Sequence, residues 1–155
     1  MANLDFELAL LTANRVKLKE IMEQQPEEKL LRILPGFNNN VLWHIGHCVV
    51  SQQRLVYWCS GLPIYISEQY MNNFKIGSSP KTWAETPDIA EVKNSLLSTV
   101  EKLKKDIQNN RFKTYEPHKT TMGFTLTSYI DAISYANFHE AEHTGNLKYL
   151  LRLME

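Results

Sequence analysis

The stretch His139-Glu140-Ala141-Glu142-His143 contains two histidines four residues apart, and a second cluster, Trp43-His44-Ile45-Gly46-His47, lies far upstream. On an α-helix, side chains at positions i and i+4 lie on one face, one turn apart. Imidazole is the commonest metal-binding side chain near neutral pH, and such a pair needs only a third ligand from another helix to hold a divalent ion. Four of the five histidines belong to these two clusters, so the sequence predicts a metal site between two helices.

Length and charge narrow the class of protein. The 155 residues fit one domain, 1–155, with a single hydrophobic core. The 17 basic and 17 acidic residues cancel, so we expect no nucleic acid or membrane partner.

Residues 1–7 lack the basic and apolar regions of a signal peptide, and no apolar stretch approaches the roughly 20 residues of a membrane span. Cys48 and Cys59 lie too far apart in one predicted helix to form a disulfide, which favours free thiols and a cytoplasmic protein.

Prolines divide the chain into four long segments with helical periodicity. The first runs from about Leu4 to Gln24, and the second from about Asn39 to Ser60. The third begins with a capping-box-like start at Asp88 and carries apolar residues at helical spacing as far as Ile107. The fourth runs from about Thr125 to Met154, and no segment shows convincing strand alternation. The pattern predicts an all-α four-helix bundle.

The connecting segments predict how the bundle is wound. Residues 25–38 form a short break, which fits antiparallel neighbours for helices one and two. Residues 61–87 are long enough to cross the bundle, and within them Ser67–Phe74 has the pattern of a short surface helix. A bundle with one long crossover is therefore the predicted architecture.

The fourth helix carries the clearest candidate ligands. On a helical wheel, His139 and His143 share the apolar face with Ala132 and Ala136, so both imidazoles are expected to point into the bundle. Glu142 falls beside that face and is a candidate acceptor for a ring N–H. The alternative is a pair of core histidines satisfied by hydrogen bonds. Two inward histidines with others nearby favour the ligand pair.

For the second helix, periodicity and glycine content disagree. His44 lies nearer the apolar stripe than His47, so periodicity favours His44 as the third ligand. Gly46 and Gly145 are the only glycines inside predicted helices, and a glycine there costs about 0.5–1 kcal/mol relative to alanine. Close helix approach around His47 would explain them, although ordinary helix contact is the alternative.

His118 is expected in a solvent-facing loop, the alternative being a mobile acid or base at the mouth of the bundle.

Two motifs resemble the DinB/YfiT-like superfamily of metal-dependent enzymes. Residues 42–47 are similar to the W-x-x-G-H segment of that family's second helix, and residues 139–147 are similar to its H-x-x-x-H-x-G-x-L signature. The resemblance implies an up-down-down-up four-helix bundle in which His47, His139 and His143 hold the metal. It makes His44 a neighbour of the site. Asn146 departs from the family pattern, since many relatives have glutamine there.

What the resemblance implies about activity centres on an open metal site. Three neutral imidazoles leave coordination positions free, which is the catalytic pattern. The first expectation is a thiol-dependent transferase in which Zn²⁺ or Ni²⁺ binds a small-molecule thiol that attacks an electrophile. The alternatives are a metal-dependent hydrolase with Glu142 as candidate base, and a non-enzymatic metal-binding dimeric bundle. The resemblance and the aromatic residues of helix two also predict a homodimer.

Overall fold

The computed structural model describes residues 3–155. Met1 and Ala2, the first two residues of the segment expected not to be a signal peptide, lie outside the described residues. Six α-helices account for most of the fold, and the all-α prediction is confirmed. One small antiparallel hairpin precedes the last helix. In chain order the elements are α1 (Leu4–Gln24), α2 (Glu27–Leu31), α3 (Val41–Gln52), α4 (Glu68–Phe74), α5 (Ile89–Gln108), β1 (His118–Lys119), β2 (Thr125–Leu126) and α6 (Tyr129–Arg152).

Side-chain caps fix where the long helices begin. The Asp88 carboxylate accepts hydrogen bonds from the backbone N–H groups of Ala90 and Glu91, so α5 begins where the capping pattern predicts. The Asn40 side chain accepts from the Trp43 N–H at the start of α3. The sequence predicts that the fourth helix begins at about Thr125, and this prediction is wrong. Ser128 caps the start of α6, and Thr125 pairs with Lys119 in the hairpin.

The second predicted helix changes its winding before it ends. α3 stops at Gln52, a π-helical turn follows over Gln53–Tyr57, and a 3₁₀ turn over Trp58–Ser60 completes the segment. Gly61, at φ 68°, then ends it in the left-handed conformation that glycine adopts readily. A π turn contains one residue more than an α turn, so side chains after Gln52 are rotated relative to a continuous helix.

The long helices form a bundle in which α1 packs against α5 and α6, and α3 packs against α6, α4 and α5 but hardly against α1. The expectation that helices one and two are antiparallel neighbours is therefore wrong. Residues 25–38 are long enough to cross one end of the bundle, and they contain α2, which packs on α3.

Cys48 and Cys59 are both free thiols, as expected. Within residues 3–155 no helix has the length and apolar character of a membrane span.

The long crossover supplies a core element rather than a surface helix. α4 packs against α3, with Tyr70 and Phe74 buried between them. A Cβ on Gly46 would lie 2.5 Å from the Phe74 ring, so glycine is required for this contact. Gly145 has open space around it, which shows that the packing reason inferred for both glycines holds only for Gly46.

A buried ion pair joins α1 to α6. The Arg15 Nε lies 2.8 Å from Glu140 Oε1, and both side chains are 0% exposed. The two terminal nitrogens of the same guanidinium also donate at 3.3–3.4 Å: Nη1 to the Leu96 carbonyl and the Thr99 hydroxyl, and Nη2 to the Cys48 carbonyl. Arg15 thereby contacts each of the other three long helices.

Gly46→Ala and Gly145→Ala form a matched pair that tests the contact with α4. We expect Gly46→Ala to lower the free energy of unfolding by about 1–3 kcal/mol, because the buried Phe74 ring must move. Gly145→Ala should be neutral or raise it by up to about 1 kcal/mol, because alanine is the better helix former. Urea unfolding measures both, and equal effects of the two substitutions would contradict the packing argument.

Candidate metal centre

Three histidine rings from two helices converge where α3 faces α6. His47 on α3 and His139 and His143 on α6 each offer a ring nitrogen, and these atoms lie within 4.8 Å of one another. The Nε2 atoms of His139 and His143 are 3.2 Å apart. Two nitrogens bound to one zinc at about 2.0–2.1 Å in tetrahedral geometry would lie about 3.3 Å apart. The donor set therefore fits a single divalent ion.

His47 is held by a hydrogen bond and a stacking contact. Its Nδ1 donates to the carbonyl oxygen of Phe74 at 2.7 Å, which leaves Nε2 without a proton and free to bind a metal. The Trp43 ring stacks on it with centroids 4.6 Å apart, and the Trp43 indole in turn donates to Ser78. The crossover thus orients the His47 ring directly through the Phe74 carbonyl, and indirectly through Ser78, which holds the stacked Trp43 ring.

His44 contacts the site without joining the three ligands. Its Nδ1 lies 2.8 Å from Nδ1 of His143, so one proton is shared between the two rings. If Nε2 of His143 binds the metal, its Nδ1 carries that proton and donates it to His44. His44 therefore points inward, as periodicity predicts, and it contacts His143 without belonging to the group of three converging histidines.

The His139 ring is fixed mainly by packing. Its Nδ1 is buried with no hydrogen-bond partner among the described residues. The Tyr135 ring stacks beside it, with centroids 6.2 Å apart. A buried polar atom without a partner is uncommon and costs free energy.

Burial keeps these imidazoles neutral. It lowers the pKa of His44 and of His139 to about 4 and that of His143 to about 2, and the repulsion that two protonated rings would experience acts in the same direction. Burial also lowers the pKa of His47, opposed by its hydrogen bond to the Phe74 carbonyl. Neutral rings have free lone pairs near pH 7, which metal binding requires.

Glu142, the candidate acceptor for a ring N–H, does not take that role. Its side chain is exposed, and no ring nitrogen in the described part of the chain donates to it. The buried carboxylate of α6 is Glu140, which pairs with Arg15 and not with a ring nitrogen. Glu140 lies four residues after Ala136 and seven before Leu147, so the helical wheel could have placed it on the inner face.

A pocket of about 260 Å³ lies against the cluster. His47 and His139 form part of its wall. His118, expected in a solvent-facing loop, is half-buried on that wall at the start of the hairpin. The other lining residues are Val50, Ser51, Arg54, Leu55, Ile76, Lys119, Thr120, Thr121 and Tyr135.

Comparison with known proteins finds a matching family and a solved structure of the same fold. The sequence profile of the DinB superfamily matches residues 10–147, a range that includes all three converging histidines. A crystal structure described as the conserved protein of locus from Enterococcus faecalis has the same fold, with a TM-score of 0.67 at 14% identity. The alignment covers 99% of this chain and 97% of that one. No curated protein matches the chain.

Zinc titration of single-histidine variants separates the two roles on α3. We expect His47→Ala to abolish tight binding, because it removes a ligand. His44→Ala should weaken binding about 10- to 100-fold, because it removes only the partner that orients His143. His118→Ala is the matched control and should bind as the wild type does. Tight binding by His47→Ala together with its loss in His44→Ala would reverse the assignment.

Proposed function

The chain belongs to the DinB superfamily, and we propose that it is a metal-dependent enzyme that joins a small-molecule thiol to an electrophile. The observation that supports this function is the convergence of three neutral imidazoles beside a pocket. Three protein ligands leave positions for an exogenous one, which is the pattern of catalytic rather than structural sites.

The chemistry follows from charge. His47, His139 and His143 would hold a divalent metal, which we propose to be Zn²⁺ or Ni²⁺, and when bound it would keep a thiol in its deprotonated form at neutral pH. The thiolate forms a sulfur–carbon bond to the electrophile, and the leaving group departs with the electron pair of the broken bond. We propose that His118, on the wall shared with His47 and His139, takes the thiol proton and returns it to the leaving group.

The pocket and the position of Glu142 weigh against the alternatives. A sealed site would favour a non-enzymatic bundle, whereas here two of the ligands line a pocket. The hydrolase alternative loses its candidate base, because the Glu142 side chain faces solvent.

The homodimer and the cytoplasmic location remain proposals. Of the helix-two aromatic residues that led to the dimer, Trp43 and Tyr57 are buried within the chain and Trp58 is 62% exposed. Trp58 is therefore the one of the three that is available to a second copy.

A conjugation assay with a chromogenic aryl halide tests the enzymatic proposal. We expect the zinc- or nickel-loaded protein to accelerate its reaction with cysteine or glutathione, and chelation or His139→Ala to remove the acceleration. Glu142→Gln is the matched control on the same helix and should retain the activity. Equal rates for the loaded protein and His139→Ala would contradict the proposal.

A further inference from the structure

The pocket beside the three histidines is cationic. Arg54 and Lys119 both line it, and no carboxylate is among its lining residues. Neither side chain takes part in an ion pair in the described part of the chain. Val50, Leu55 and Ile76 supply an apolar wall. Positive charges without a counter-charge beside apolar walls favour an anionic ligand.

The winding of α3 places Arg54 beside the pocket. Arg54 lies in the π-helical turn, seven residues after His47, and it is half-buried. The buried Gln53 side chain holds this turn, because its carbonyl oxygen accepts the backbone N–H of Tyr65 at 2.7 Å. The Arg54 guanidinium lies over the Trp58 ring, 5.5 Å from its centroid, which restricts its motion.

The pocket continues outward past this arginine. A second pocket of about 240 Å³ shares Arg54, Leu55 and His118 with the first and extends to Trp58, with the Glu116 carboxylate on its outer wall. Lys119 stands on β1, so the hairpin provides the second positive charge of the inner pocket. The two pockets meet at Arg54 and form a groove that begins at the histidines, and both Arg54 and Lys119 lie on its inner part, where no carboxylate lines the wall.

We propose that this groove selects thiols with a carboxylate tail, the sulfur lying at the three histidines and the carboxylate between Arg54 and Lys119. The inference rests on the proposed function and names the class of thiol. Seven residues from His47 to Arg54 correspond to about 10 Å along the helix axis, so the carboxylate and the sulfur stand several bonds apart. Arginine suits the carboxylate because its planar fork donates two parallel hydrogen bonds.

Two thiols of equal length, ω-mercaptohexanoate and ω-mercaptohexanol, test the selection without any measurement of turnover. Each is titrated into the cobalt-loaded protein, and the sulfur-to-cobalt charge-transfer band reports binding. We expect the carboxylate thiol to bind about 10-fold more tightly than the alcohol, as one charge-assisted contact allows. Arg54→Gln should remove most of this preference and leave the affinity for the alcohol unchanged.

Control variants keep the outcomes distinct. Arg32→Gln changes an exposed arginine outside the groove and should preserve the preference, and Arg54→Lys should retain part of it. If Arg54→Gln does not fold, Lys119→Gln takes its place and should reduce the preference by a smaller factor. Equal binding of both thiols by the wild type would overturn the selection and leave the thiol chemistry intact. The absence of a charge-transfer band with either thiol would overturn the proposed function, and the selection with it.

Discussion

The buried pair of Arg15 and Glu140 fixes how α6 is turned within the bundle. Both side chains are fully buried, and an uncompensated charge in such a place costs several kcal/mol. α6 therefore cannot rotate about its axis without leaving the Glu140 carboxylate unpaired. Glu140 directly follows His139 and precedes His143 by three residues, so the rotation that satisfies the carboxylate also directs both imidazoles toward α3. A buried pair of this kind adds little net stability over apolar residues. Its consequence here is the orientation of the site.

The crossover supplies the complementary constraint on α3. Gly46 allows the Phe74 ring to lie directly against the helix backbone, which brings the Phe74 carbonyl within hydrogen-bonding distance of His47. The same turn of α3 therefore carries both His47 and Gly46. Gly46 is the small residue that lets the Phe74 carbonyl reach the His47 ring and orient it. Beyond Gln52 the π-helical turn redirects the chain and places Arg54 at the pocket. The orientation of His47 and the position of Arg54 thus each depend on a local departure from regular packing in the same segment.

Apolar periodicity and end-capping residues made much of the fold predictable. The bounds of α1 and the start of α5 follow from them, since a stripe of leucines and an aspartate cap act locally. The π turn could not be foreseen, because a single extra residue leaves the apolar pattern of the second segment almost unchanged. The two-residue strands of the hairpin are too short for alternation to register. The diagonal placement of α1 and α3 depends on packing between distant segments, which no local pattern encodes.

The candidate site was predictable where the spacing of residues suffices. The i and i+4 spacing places His139 and His143 together, and the motif around Gly46 indicates His47, which the structure brings to the same cluster. The contact of His44 with His143 joins residues on different helices, so a wheel drawn for one helix shows its direction and not its partner. The same reason hid the role of Glu140, whose partner Arg15 lies near the other end of the chain.

X-ray absorption spectroscopy of the zinc-loaded protein measures whether the three histidines form an open metal site. We expect three imidazole nitrogens at about 2.0–2.1 Å with an exogenous oxygen ligand beside them. Addition of a small thiol should replace that oxygen with one sulfur at about 2.3 Å. A closed shell of four imidazoles that includes His44, unchanged by the thiol, would contradict this expectation.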